Sequence, residues 1–162
     1  MSQPEYVHVL INPLPVYGLA MGVLALLLAF VMRSRRSKVL ALVLIVFSAA
    51  SAWPVLLYGQ KGYQRVHAMS DHDGQAWLDA HMHRAEKLIY FYYVTAAVGL
   101  VAIVASIRWP KIAVSLTAFT LILAMALLSI GGYIAYAGGK VRHREFRNEP
   151  PPIEGTTDQH AQ

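Results

Sequence analysis

Seven histidines are the side chains of this chain best suited to chemistry: His8, His67, His72, His81, His83, His143 and His160. Neutral imidazole is the commonest biological metal ligand and also binds haem iron. Four of them, His8, His81, His83 and His143, fall near the ends of long apolar stretches that a bundle would bring together. The sequence therefore offers a haem b or metal site with His81 and His143 as ligands and His8 or His83 in support. His81 and His83 are two apart, so on a helix they point about 200° from one another, whereas two ligands of one ion favour an i, i+4 spacing. His143 lies between Arg142 and Arg144, which favour an anion such as a lipid phosphate. Met69, Met82 and the run His81-Met-His83 place thioether beside imidazole, a set that suits copper. Asp79 and His83, or His83 and Glu86, can pair on one helical face. No nucleophile is set beside a base and a pocket, so an enzyme is not expected. The chain has no cysteine, which excludes cysteine-attached haem, cysteine-held iron–sulfur clusters and cysteine-zinc sites.

Positioning these residues falls to four apolar stretches at about 11–32, 39–58, 88–107 and 112–137, each close to the ~20 residues that a helix needs to cross the hydrocarbon. None contains Asp, Glu, Lys, Arg or His. The turn between the first two holds Arg33, Arg35, Arg36 and Lys38; the turn between the last two holds Arg108 and Lys111; neither holds an acid. The positive-inside rule puts both turns in the cytoplasm. The N-terminus, the segment 59–87 and the tail then face outward, which in a bacterial inner membrane is the periplasm. The expected fold is an all-α, integral membrane four-helix antiparallel bundle with its third helix extended beyond the membrane. Residues 1–147 form the membrane domain and 148–162 a disordered tail.

A composition of 56% hydrophobic and 14% charged residues is too apolar for an ordinary soluble protein. The net charge of +5 does not imply nucleic acid, because six cations are spent on the two inner turns and the rest face nine acids. The N-terminus Met-Ser-Gln-Pro-Glu-Tyr lacks a basic signal region, so the first span is expected to stay as an anchor. Uncharged spans argue against a proton pump, an ion-coupled transporter or a voltage sensor.

Within this frame, Pro13 and Pro15 suit the first turn of a helix. Gly18 and Gly22 form a Gly-x-x-x-Gly face, and Ala102 and Ser106 are small residues on the third span. Pro54 predicts a kink near Trp53. Ser70-Asp-His-Asp73 reads as a helix N-cap that opens a helix of about 36 residues running into the third span. Trp77, Leu78, His81, Ala85 and Leu88 share a face of it, expected to pack on Lys61–Val66. Gly131-Gly132 and Gly138-Gly139 are expected to loosen the last span where Lys140–Arg147 leaves the membrane. Tyr90-Phe-Tyr-Tyr93, with Tyr58, Tyr133 and Tyr136, reads as an interfacial aromatic belt on which a quinone or porphyrin could also stack.

Taken together, Ile11-Asn-Pro-Leu-Pro-Val-Tyr-Gly18, His81 entering the third span and Gly131-Gly-Tyr-Ile-Ala-Tyr-Ala-Gly-Gly139 resemble a bacterial four-span membrane family of unknown function. In that family the first span begins His-Pro-x-x-x-His-Phe-Pro and the last ends in Gly-Gly followed by Tyr-x-His-Gly. The family histidines align here with Asn12, Tyr17 and Gly138, so the resemblance implies that they are replaced, with His81 and His143 as remaining candidates. It implies the four-span fold and no particular activity. The leading functional expectation is a non-enzymatic membrane subunit whose His-rich outer face docks a membrane or periplasmic protein in a respiratory or electron-transfer assembly. The alternative is a haem b or metal-binding electron-transfer protein.

Overall fold

The computed structural model describes residues 3–152; His160 and the rest of the tail from 153 lie outside the described residues. Every regular element among the described residues is helical: α1 (Pro4–Ile11), α2 (Pro13–Val31), α3 (Arg35–Ala50), α4 (Ala52–Met69), α5 (His72–Arg108), α6 (Pro110–Arg142) and a short 3-10 turn at Arg144–Phe146. Four helical stretches, Pro4–Val31, Arg35–Met69, His72–Arg108 and Pro110–Arg142, are long and apolar enough to cross a membrane. Leu24, Leu28, Leu40, Phe47, Val104 and Ile122 stay exposed on them. Such continuous apolar walls suit lipid and not water.

Prolines set the breaks. Pro13 opens α2 directly after Asn12, and Pro110 opens α6 after the single connector Trp109. Pro54 has no N–H for the carbonyl of Ala50, where α3 ends, and the chain turns at Ser51 before α4 resumes. The helix is thus interrupted at Ser51, two residues before Trp53. The second apolar helix does not stop at Tyr58 but continues as α4 to Met69. α6 runs unbroken through both Gly-Gly pairs to Arg142.

The turn between α2 and α3 is a Schellman motif, with Ser34 N–H donating to Ala29 O at 3.3 Å and Arg33 N–H to Phe30 O at 3.1 Å. It places Arg33 at φ 52°, a left-handed conformation usually given to glycine. Ser34 then caps α3, its Oγ accepting from Ser37 N–H. Arg33→Gly should stabilise the protein by about 1 kcal/mol, read as a higher midpoint in detergent unfolding; an unchanged or lower midpoint would contradict the strain.

The chain divides into two compact units. One comprises Asn12–Trp53 and Ile89–Gly131 and is a four-helix bundle. A Cβ on Gly18 would lie 2.3 Å from Ser48 Oγ, and one on Gly22 would lie 2.7 Å from Ile45 Cγ1, so α2 and α3 touch nearly backbone to backbone along the expected face. Gly99 of α5 abuts Val46 and Thr120, and Gly131 of α6 abuts Tyr92 and Val16. These contacts close a ring in the order α2, α3, α5, α6. The buried hydroxyls of Ser48, Thr95, Ser106, Thr117 and Thr120 each donate to the carbonyl four residues earlier, so none is an unpaired polar group in an apolar interior.

The other unit comprises the chain up to Ile11, Pro54–Leu88 and the chain from Gly132. Its core is Trp77, Leu78, Ala137 and Val141, with Tyr63 and Val66 packed against it. The stripe on α5 thus packs on the segment expected for it, and on α6 as well.

Candidate functional site

Two histidines meet in the second of these units. His8 of α1 and His81 of α5 have ring centroids 6.3 Å apart and planes at 79°. Both residues are half-buried. His8 Nδ1 lies 2.8 Å from Val55 O, and His81 Nδ1 lies 2.9 Å from Ile134 O. A carbonyl only accepts, so in each ring Nδ1 carries the proton and donates, and Nε2 keeps its lone pair. That tautomer, held by a backbone carbonyl, is how proteins prepare a histidine to ligate through Nε2.

Each ring lies against a glycine four residues beyond its acceptor. A Cβ on Gly59 would be 3.0 Å from His8 Nδ1, and one on Gly138 would be 2.9 Å from His81 Nδ1. Any larger residue would push the imidazole off its carbonyl. α1 is held on α4 by a second close approach, Gly62 to the Glu5 backbone, and by the Glu5–Arg65 ion pair at 3.1 Å. α5 is held on α6 by the Trp77 core and by Arg84, a buried side chain whose guanidinium lies 3.9 Å from the centre of the Tyr133 ring and donates to Tyr133 O at 3.2 Å.

The other sequence candidates are engaged elsewhere. His143 is exposed, stacks on Phe146 and meets Glu145 Oε1 through Nδ1 at 2.9 Å. His83 is half-buried, but its expected helical partners are taken: Tyr63 donates to Asp79, and Gln60 donates to Glu86 at 2.7 Å. Among the described residues no group of three or more His, Asp or Glu side chains is arranged to hold a metal ion. The acceptors Val55 and Ile134 belong to the apolar stretches 39–58 and 112–137, near the end of each.

A second cluster closes the same unit. The N-cap of α5 is Asp71 and not Ser70: Asp71 Oδ1 accepts from Gly74 N–H at 3.1 Å, while Ser70 Oγ donates back to Val66 O. Asp71 Oδ2 receives Arg147 Nη1 and Arg144 Nε, each at 2.9 Å. Arg147 also donates to the carbonyls of Lys140 and Val141, both at 2.7 Å, and so caps the last turn of α6. The hydrogen bond from Arg147 holds the Asp71 carboxyl at a pKa of about 2 against an ordinary 3.8. Nearby, Lys140 is buried over the rings of Trp77 and Tyr136, at 4.4 and 4.1 Å, and pairs with Glu149 at 2.7 Å. Residues 148–152 have no regular structure, but Glu149 is fastened by this contact. Sequence reading missed this cluster, whose only signal was an acid at a helix start and a basic run after a helix end.

No protein-family model matches the chain, and no curated protein or solved structure matches it.

Proposed function

We propose that this multi-pass membrane protein is an electron carrier of a bacterial inner membrane, with both termini in the periplasm, whose redox metal is held between His8 and His81. The observation that carries the reading is the spacing of the two imidazoles. The two rings make a T-shaped edge contact, close enough for one ion to be reached by both through bonds of ~2.0–2.1 Å. The two rings stand 6.3 Å apart, and each has Nδ1 already committed to a carbonyl. His8 thus replaces His143 as the partner of His81. His8 and His81 would hold the metal, which would supply one-electron transfer from a reduced to an oxidised membrane or periplasmic protein, with no atom transferred.

The test is a reduced-minus-oxidised visible spectrum with metal analysis, on protein purified in mild detergent from its native host. One metal per chain is expected, lost in His8→Ala and in His81→Ala and kept in His83→Ala and His143→Ala. Metal that survives both of the first two substitutions would overturn the assignment. A metal-free preparation would leave the docking-subunit reading, which the fastened C-terminal turn supports by displaying Arg142, His143 and Phe146 on an exposed surface.

A further inference from the structure

The four-helix bundle of Asn12–Trp53 and Ile89–Gly131 holds cations and no acid. Its cations are Arg33, Arg35, Arg36, Lys38, Arg108 and Lys111, all in or beside the two turns that join α2 to α3 and α5 to α6. The two turns share one end of the bundle. Val16, at the far end of α2 from its turn, meets Gly131, at the far end of α6 from its own. A Cβ on Gly99 of α5 would lie 2.6 Å from Val46 Cγ2 of α3. Val46 is about eleven residues beyond Arg35 and Gly99 about nine before Arg108, so at ~1.5 Å per residue the turns end within about 3 Å of the same level. Neighbouring helices pack about 8–10 Å apart, roughly one Debye length, so the charges of the two turns still act on one another.

Nothing in the bundle answers this charge. Among the described residues the ion pairs are made by Glu5, Asp71, Asp73, Glu145 and Glu149, which all belong to the other unit. Lys38 lies over the Phe30 ring, 4.5 Å from its centre, and the other five cations are exposed. Arg35 and Arg36 occupy the first turn of α3, which contains no acid and where the helix dipole opposes a cation. Their placement costs the helix stability unless an anion lies against them. We infer that this end of the bundle is a binding surface for anionic phospholipid headgroups, its guanidinium groups taking phosphate oxygens in pairs. Met32, Ile107, Trp109 and Ile112 are exposed beside the cations. Such an apolar rim suits acyl chains next to a headgroup, with Trp109 at headgroup level, and a free soluble anion would leave it bare.

The test is native mass spectrometry of the full chain in an uncharged detergent, titrated separately with phosphatidylglycerol, phosphatidylcholine and inorganic phosphate. Phosphatidylglycerol should bind saturably and at least about tenfold more tightly than phosphatidylcholine, with the preference shrinking as salt rises. Arg35→Gln or Arg108→Gln should weaken phosphatidylglycerol about fivefold, and the two together about 25-fold. Arg142→Gln, an exposed cation of the other unit, should leave it unchanged. Equal binding of the two lipids would overturn the headgroup preference, and that comparison on the unmodified protein decides the matter if the variants do not fold. Inorganic phosphate that displaces phosphatidylglycerol at equal concentration would overturn the lipid as ligand. A loss in Arg142→Gln as large as in Arg35→Gln would overturn the location.

Discussion

Replacing Arg147 by alanine should destabilise the protein by about 3 kcal/mol, since it removes three hydrogen bonds to a charged group that are each worth about 1.5–3 kcal/mol before water recovers part of the loss. The side chain is 8% exposed and ties together three places: the carboxylate that caps the start of α5 and the two terminal carbonyls of α6. Its loss leaves those carbonyls without a cap and releases the turn at Arg144–Phe146. Trypsin should then cut after Arg142 and Arg144 faster than in the unmodified protein, while the unfolding midpoint in detergent falls. Arg147→Lys should recover only a fraction, because a point charge cannot serve three acceptors that diverge. Unchanged melting together with unchanged proteolysis would show that the cluster fastens nothing. Acid should reproduce the effect without mutation. The folded-state pKa of Asp71 lies below its ordinary value, so the folded form binds fewer protons, and the contribution is complete above 3.8 and disappears as the pH falls towards about 2. Glu149, held low by its hydrogen bond from Lys140, acts in the same direction.

The second large effect lies in the bundle. Gly22→Leu should cost about 2–3 kcal/mol, because even the first added carbon would meet Ile45 Cγ1 at 2.7 Å and the Ile45 backbone nitrogen at 3.3 Å, and backbone cannot step aside. α2 and α3 must then separate along the face where lipid offers no hydrophobic reward for rejoining. Gly132→Ala is the opposite case. Its Cβ enters open space, and a helical Gly→Ala exchange stabilises by about 1 kcal/mol. Denaturant titration in mixed micelles should move the two midpoints in opposite directions. If both fall alike, the cost belongs to glycine replacement in general and not to the α2–α3 contact.

The four apolar helices, their proline boundaries and the Gly18/Gly22 contact were legible because each depends on residue type at a local spacing. His81 was legible as a candidate for the same reason. His8 was legible as a supporting candidate, but its pairing with His81 was not. His8 and His81 are placed by the carbonyls of Val55 and Ile134, and a carbonyl has no letter in a sequence; the visible trace was a glycine four residues further on in each case, among eleven glycines. The cap at Asp71 competed with Ser70 one residue away, and only the reach of Arg147, 76 positions distant, decides between them. The Gly-Gly pairs of α6 read as soft because local propensity says so. The helix is continuous through them, with Gly131 packed on Tyr92 and Val16 and Gly138 on His81.

The two histidines occupy equivalent places in the chain. His8 opens a helical hairpin formed by residues 4–69, and its ring rests on that hairpin's closing helix, at Gly59 and the carbonyl of Val55. His81 opens the hairpin of residues 72–142 and rests in the same way on Gly138 and the carbonyl of Ile134. Each half of the chain thus repeats one local device, a histidine near the start of a helical stretch seated on a carbonyl and a glycine four residues apart on the helix that closes that stretch.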